Sequence, residues 1–215
     1  MSQPAGADSN SALSNSVGNF AELVAAGTPA PGGGSVSAHS GMLAASLGQM
    51  VCNLSIGKPK FAAVEARLTE IRSSLEGLGA RLRELIAEDA SSFDGVLQSY
   101  RLPKETEEQK AERSAQIQSA LRHAVAVPMQ TAERSVDVLT LLRELADIGN
   151  PNALSDVAVG AQLAQTATRG ASYNVVANLG SISDNQFVES TKARIKSLLE
   201  LAEKLAEEVE TKVEV

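Results

Sequence analysis

The sequence predicts an all-α fold, an up-and-down bundle of about five long antiparallel helices preceded by one short helix. Apolar residues recur at steps of three and four over long stretches, and no alternating strand pattern of useful length occurs. The segments between these stretches are short, which makes neighbouring helices antiparallel. Only 3% of the 215 residues are aromatic, so the core must consist mainly of Ala, Leu, Val and Ile.

The chain divides into an N-terminal arm and one helical domain. Residues 1–12 are predicted to be a disordered arm, because "MSQPAGADSNS" has neither the basic nor the apolar region of a signal peptide. Residues 13–215 are predicted to form one helical domain. A short helix is expected at about 16–26, and "GTPAPGGGS" ends it.

The second helix is predicted at about 36–56, with Ser35 as its N-cap and Gly57 at its C-cap position. It is apolar nearly all round and rich in small residues, which is typical of a central helix touched on every side. The third helix is predicted from near Phe61 to about Tyr100, where "RLPK" breaks it.

Capping boxes open two of the remaining helices. Thr106 and Gln109 form one at the start of the fourth helix, and Ser183–Gln186 forms another at the start of the last. Pro128 lies in the middle of the fourth helix. It predicts a kink there and a backbone carbonyl, one turn earlier, without its helical donor. "GNPN" separates the fourth helix from a fifth that extends to about Leu179.

Charge and hydropathy exclude several classes of partner. The net charge is −7 and no basic patch is visible, which argues against nucleic-acid binding. The most hydrophobic long stretch, 36–56, carries His39, Gln49 and Asn53, so a core helix is predicted and a membrane partner is not. The single cysteine, Cys52, indicates a buried thiol in a reducing compartment, and a cytoplasmic location is predicted.

An apolar stripe of the third helix runs into a carboxylate, Asp89, followed by Ser92. Burying a carboxylate without partners costs several kcal/mol. Asp89 therefore has three possible surroundings. It pairs with a cation of the protein, or it turns to solvent because the stripe restarts at Phe93 in another register. The third possibility is that it faces a cavity in which a cationic substrate or a water molecule binds. The stripe before it comprises Phe61, Val64, Leu68, Ile71, Leu75, Leu78, Leu82 and Leu85.

Two further features are candidate binding elements. Gly32, Gly33 and Gly34 precede a helix N-terminus, where amides and the helix dipole suit an anion or a carbonyl oxygen; a plain tight turn is the alternative. On the fifth helix, small residues lie on one face that has polar residues at both ends, which suggests a groove for a ligand or another backbone. The alternative is that Ser155 or Asn150 simply caps the helix. That face comprises Asp156, Gly160, Leu163, Ala167, Ala171, Asn174 and Asn178.

The histidines do not indicate a metal site. Neither His39 nor His123 has a Glu three residues earlier, and no other ligand cluster occurs, so no metal and no tightly bound cofactor are predicted. His39 follows the glycine turn by one helical turn. His39 either lines the same cavity as the glycine turn or is a core histidine.

Taken together, the motifs resemble the formiminotransferase-cyclodeaminase family over roughly residues 20–200. The stretches that carry the resemblance occur in the family's order: "TPAPGGGSVSA", "MVCNLSIGKPKF", "DASSF", "RLPK", "AVAVP", "GNPNALSDVAV" and "NVVANL". The similarity is to the cyclodeaminase domain, without the transferase domain that precedes it in the fused enzyme. It implies an all-helical homodimer.

The resemblance also implies a tetrahydrofolate derivative as substrate and C–N chemistry at the bridge between N5 and N10. Catalytic roles are implied for Asp89, Lys104 and Asp156. Substrate binding is assigned to two groups of residues. The second group and Arg101 are candidates to bind the carboxylates of the folate tail, and ordinary solvent-exposed surface cations are the default alternative. The first comprises Gly32, Gly33, Gly34, Ser35, Asn53, Asn174 and Asn178, and the second Lys58 and Lys60.

Three functional hypotheses follow. The first is hydrolysis of 5,10-methenyltetrahydrofolate to 10-formyltetrahydrofolate, favoured slightly because no transferase is fused. The alternative is a formiminotetrahydrofolate cyclodeaminase that releases ammonia. The third is a non-catalytic helical dimer that binds a ligand or a partner helix.

Overall fold

The computed structural model describes residues 17–213, and within that range the protein is built from six α-helices and contains no strand. Two short 3₁₀ turns, Pro59–Phe61 and Pro151–Ala153, precede the third and fifth helices. The predicted all-α class is confirmed, whereas the predicted arm at 1–12 lies outside the described residues. The helices are α1 (Val17–Ala25), α2 (Gly33–Asn53), α3 (Glu65–Tyr100), α4 (Glu107–Ile148), α5 (Leu154–Leu179) and α6 (Asn185–Glu210).

Helices α2 to α6 pack as an up-and-down bundle with α2 in its middle. Helix α2 packs against α3, α4 and α5, and α6 closes the bundle against α4 and α5. Ser37 of α2 lies beside Gly170 of α5, and Ala44 lies beside Gly160, so the two helices are antiparallel. None of the helices among residues 17–213 is long and apolar enough to cross a membrane.

Glycines allow α2 to approach its neighbours closely. A Cβ at Gly41 would lie 2.7 Å from Oγ of Ser135 on α4. A Cβ at Gly48 would lie 2.7 Å from a methyl of Leu75 on α3. The small residues of α2 therefore set the helix separation, as expected for a helix enclosed on several sides.

The hydrophobic core has two parts. The larger surrounds α2 and includes Leu68, Ile71, Leu75 and Leu82 of α3, all fully buried. The smaller lies between the first half of α4, the second half of α5 and the start of α6. Helix α2 begins beside the smaller cluster, so its N-terminus lies where α3, α4 and α5 also meet.

Helix starts follow the sequence signals in one case and depart from them in two. The Thr106–Gln109 capping box is present, with each side chain accepting from the other residue's amide at 3.2 Å. Helix α2, however, begins at Gly33 with Gly32 as N-cap, so the prediction of Ser35 as N-cap is wrong. The Ser35 hydroxyl is engaged by α3 instead.

The cap of the last helix is displaced by one residue, and the end of α2 comes earlier than expected. Asp184, not Ser183, caps α6 and accepts from the Phe187 amide at 3.0 Å, because Ser183 is held by the Gln118 side chain. The C-cap of α2 is Leu54. Gly57, predicted at that position, instead turns the following loop with a φ of +78°.

Candidate active site

The N-terminus of α2 and the facing segments of α3, α4 and α5 enclose a cavity of about 310 Å³. This volume is at the small end of the ~300–1,000 Å³ range of ligand sites in proteins. Six predicted site residues from three distant segments line it. The lining comprises Pro29, Ala30, Gly32, Gly33, Gly34, Asp89, Ser92, Phe93, Val96, Ala124, Asn174 and Asn178.

Asp89 lies against the first turn of α2. The buried Ser35 hydroxyl has a single proton to donate, and it lies 3.0 Å from Oδ2 of Asp89 and 3.1 Å from the Ile86 carbonyl. The carboxylate is so close to the α2 backbone that a Cβ at Gly34 would lie 2.0 Å from its Oδ1. Glycine at position 34 is therefore a requirement of the site, although the backbone there has an ordinary negative φ.

Burial dominates the titration of Asp89. It raises the pKa of the carboxyl group above its ordinary value, and the hydroxyl and amide of Ser35 partly oppose that shift. No Lys or Arg is among the residues that line the cavity, and the ion pairs of the described chain do not include Asp89. A half-buried carboxylate without a protein counter-ion favours a cationic ligand.

Two asparagines of α5 complete the polar lining. Nδ2 of Asn174 donates to the Gly170 carbonyl at 3.0 Å, and Nδ2 of Asn178 donates to the Ala124 carbonyl of α4 at 2.6 Å. Among the described residues, nothing donates to either amide oxygen. The side chains of the cavity therefore offer oxygen acceptors, which suit a ligand that carries N–H donors.

The sequence reasoning missed Phe93 as a cavity residue. Phe93 follows Asp89 by one helical turn, so both side chains belong to one face of α3, and 41% of Phe93 is exposed. An aromatic face beside a carboxylate suits a flat, positively charged ring system. The i, i+4 spacing within "DASSF" was the available signal.

The residues at the other end of α2 do not reach this cavity. Helix α2 has 21 residues, so its two ends are separated by ~30 Å at a rise of 1.5 Å per residue. Asn53 is exposed at the far end, where Arg72 lies 3.5 Å from its side-chain oxygen. Lys58 and Lys60 are exposed just beyond it.

The remaining candidates also lie apart from Asp89. Lys104 and Arg101 are exposed in the connection between α3 and α4. The end of α3 at Tyr100 is ~16 Å along the helix from Asp89. Asp156 is half-buried in the first turn of α5, ~27 Å along that helix from Asn174. Their catalytic roles stay predictions, without a contact to the cavity within one chain.

Neither His39 nor Cys52 of α2 lines the cavity. The His39 ring lies 4.9 Å from the ring of Phe20 on α1, and burial lowers its pKa. Burial raises the pKa of Cys52 to about 11, so the thiol stays protonated and is a poor nucleophile. Within residues 17–213, no three or more His, Cys, Asp or Glu side chains cluster in a way that could hold a metal ion.

The chain is similar to known proteins over most of its length. The chain is 39% identical over 198 residues to the methenyltetrahydrofolate cyclohydrolase of Methylorubrum extorquens, covering 90% of this chain and 95% of that protein. It is 38% identical to the formimidoyltransferase-cyclodeaminase of Mus musculus over 89% of this chain, which spans 36% of the mouse protein.

A solved structure shows the same architecture. The crystal structure of formiminotetrahydrofolate cyclodeaminase from Thermotoga maritima superposes with a TM-score of 0.84 at 28% identity, over 93% of this chain and 96% of that one. A profile of the family described as formiminotransferase-cyclodeaminase matches residues 16–197. The protein therefore belongs to the formiminotransferase-cyclodeaminase family.

Proposed function

We propose that this protein hydrolyses 5,10-methenyltetrahydrofolate to 10-formyltetrahydrofolate, with Asp89 as the catalytic carboxylate. The observation that carries the proposal is a half-buried carboxylate, free of any protein cation, in a cavity lined by oxygen acceptors. The methenyl bridge is an amidinium cation, and it supplies the positive charge that the cavity lacks. The 39% identity to a protein named for this activity supports the choice of substrate.

In the proposed reaction, water adds to the bridging carbon between N5 and N10. The C–O bond forms as one proton of the water passes to Asp89. The C–N5 bond then breaks as N5 takes up a proton, and the hydroxyl proton leaves to give the formyl group on N10. One proton is released overall, so Asp89 acts first as a base and then as the acid that returns a proton to N5.

The surroundings of Asp89 suit this exchange. Burial raises the pKa of the carboxyl group, whereas a bound amidinium cation lowers it. The group therefore binds the cation in its carboxylate form. Once the positive charge of the substrate is lost, the pKa of Asp89 rises again, so the group holds the proton that it later returns to N5. Phe93 and Val96 supply an apolar wall, and we place the reacting end of the folate in this cavity of about 310 Å³, with the tail outside.

Asp89→Asn tests the catalytic role. Turnover of methenyltetrahydrofolate, followed by loss of its absorbance relative to buffer alone, should fall by about 10²–10⁴, the usual contribution of general acid–base catalysis. Asp94→Asn is the matched control, because Asp94 is exposed on the same helix and does not line the cavity. Full activity in Asp89→Asn, with helicity intact, would show that the assignment is wrong.

Formiminotetrahydrofolate cyclodeamination is the second candidate, favoured by the close superposition on the Thermotoga maritima enzyme. The N10–C bond forms as the N10 proton moves, by way of the same carboxylate, to the formimino nitrogen, which gives a tetrahedral carbon flanked by nitrogens. The bond from this carbon to the formimino nitrogen then breaks as one further proton from solvent completes ammonia, and the methenyl cation remains. Ammonia release from formiminotetrahydrofolate, measured beside the absorbance assay, separates the two activities. Asp89→Asn lowers whichever activity the protein has.

The proposal includes a homodimer without a tightly bound cofactor, acting in the cytoplasm. Four large apolar side chains of α2 and its C-cap are 36–40% exposed along one stripe, which is unusual for the middle helix of a bundle: Val36, Leu43, Met50 and Leu54. A second copy packed on this stripe would cover it. Sedimentation analysis should give a dimer, and Leu43→Glu a monomer; a monomeric wild-type protein would contradict this part.

A further inference from the structure

Pro128 leaves one carbonyl of α4 without its helical donor. In an α-helix the amide of residue 128 donates to the carbonyl of residue 124, and proline has no amide hydrogen. Helix α4 nevertheless continues from Glu107 to Ile148 across Pro128. The Ala124 carbonyl, which belongs to a residue of the cavity lining, therefore needs a partner from outside the helix.

Asn178 of α5 is that partner. Its Nδ2 donates to the Ala124 carbonyl at 2.6 Å. Since a carbonyl can only accept, this bond fixes which end of the amide faces α4 and leaves Oδ1 as the free end. Asn178 lines the cavity, and among the described residues nothing donates to its Oδ1.

We propose that Pro128 is a positioning residue that acts through Asn178, so that the amide oxygen of Asn178 accepts a hydrogen bond from an N–H group of the pteridine ring. This inference rests on the proposed function, because reduced folates carry an amino group and ring N–H groups. Asp89 and the oxygen of Asn174 provide further acceptors in the same cavity. Pro128 itself does not touch the substrate.

The effect of Pro128→Ala separates this role from a purely structural one. Alanine restores a helical donor to the Ala124 carbonyl, which then competes with Asn178 for it. KM for methenyltetrahydrofolate should rise about three- to tenfold, the range for loss of one neutral hydrogen bond. The kcat should stay within about twofold, and Tm should hold or rise, because alanine favours a helix interior over proline.

A double-mutant cycle identifies the residue through which Pro128 acts. Asn178→Ala should raise KM by a similar factor, and Pro128→Ala should add nothing in that background. Pro151→Ala, in the 3₁₀ turn outside the cavity, is the matched proline control and should keep the wild-type KM. A wild-type KM in Pro128→Ala, or additive effects of the two substitutions, would overturn the inference while leaving the proposed function standing.

A direct measurement of tetrahydrofolate binding distinguishes the proposed function from the role proposed for Pro128 and Asn178. Calorimetry with tetrahydrofolate measures Kd for wild type, Pro128→Ala and Asn178→Ala without any turnover. A wild type that binds tetrahydrofolate but hydrolyses nothing would contradict the proposed activity, and weaker binding in both variants would still support the acceptor role of Asn178. A wild type that does not bind tetrahydrofolate would overturn both.

Discussion

Gly34→Ala is a sharp test of how the fold positions Asp89. The new Cβ would lie 2.0 Å from Oδ1 of Asp89, and both remaining carboxyl atoms are within 2.7 Å of it. Ordinary contact begins at 3.4 Å, so the carboxylate must move away from α2. The backbone at position 34 has no positive φ, so this contact, rather than backbone strain, is the whole effect of the substitution.

The displacement sets the size of the expected loss. The gap must widen from 2.0 Å to 3.4 Å or more, which exceeds 1 Å, and a misplacement of about 1 Å in a reacting group lowers the rate by about 10²-fold. A 10²-fold loss corresponds to about 2.7 kcal/mol of transition-state stabilisation. The bond from Ser35 is lost in the same movement, because its oxygen lies 3.0 Å from Oδ2.

The assay is kcat/KM for methenyltetrahydrofolate, with circular dichroism to confirm that the helices remain. Gly33→Ala is the neighbouring comparison: its Cβ would meet Asn174 at an ordinary 3.6 Å, so its loss should be much smaller than that of Gly34→Ala. Gly77→Ala, exposed on α3 with nothing within 4 Å of the new Cβ, should leave kcat/KM unchanged. Wild-type kcat/KM in Gly34→Ala would refute the reasoning.

Further predictions concern the pH dependence of activity, the pH dependence of stability and two glycine substitutions. The kcat/KM should fall as the solution is acidified, with the midpoint above the ordinary carboxyl value of 3.8, because burial raises the pKa of Asp89; a pH–rate profile measures this. The same shift means that the native state binds the Asp89 proton more tightly than the unfolded state, so this group's contribution to stability is present below pH 3.8 and lost as pH rises through the raised pKa. The advantage of Asp89→Asn over wild type in urea unfolding should therefore grow from acidic to neutral pH. Gly48→Ala should destabilise the protein by about 1–3 kcal/mol, since its Cβ would lie 2.7 Å from Leu75, whereas Gly77→Ala should stabilise it by about 0.5–1 kcal/mol in the same titration.

The fold was predictable because its signals are local. The three-and-four spacing of the α3 stripe, the Thr106–Gln109 capping box and the breaks at "RLPK" and "GNPN" each act within a few residues. The errors arose where a tertiary contact competes with a local signal. Ser35 is a good N-cap by residue type, but its hydroxyl is bonded to α3, and α2 starts at Gly33, three residues before the predicted start.

The candidate site was predictable only in part. Asp89 interrupts an apolar stripe, and the glycine run precedes a helix, so each is visible in the sequence alone. Their meeting depends on the packing of α3 against the first turn of α2, which no local pattern encodes. Asn53 was grouped with Gly33 through motif similarity, and Lys58 and Lys60 were assigned to the folate tail. The length of α2 places all three ~30 Å from Gly33 within one chain.

Pro128 shows how a local rule can lead to a distant contact. The sequence predicted that a carbonyl one turn earlier would lose its helical donor, and the Ala124 carbonyl does accept from Asn178 instead. The helix remains continuous across Pro128, and the Ala124 carbonyl accepts a hydrogen bond from outside the helix. The identity of the new donor depends on tertiary packing.

The position of Asp89 at the first turn of α2 also explains how an unpaired carboxylate is tolerated. The N-terminus of a helix carries partial positive charge, which stabilises a nearby anion by about 0.3–1 kcal/mol and more when it is partly buried. Ser35 adds a hydrogen bond, yet burial still raises the pKa, so the compensation is incomplete. A full counter-ion such as an arginine would stabilise the carboxylate further, but it would also remove the free energy with which a cationic substrate binds. On the proposed function, the helix terminus and Ser35 stabilise the carboxylate only in part, and this incomplete compensation leaves Asp89 able to bind an amidinium cation.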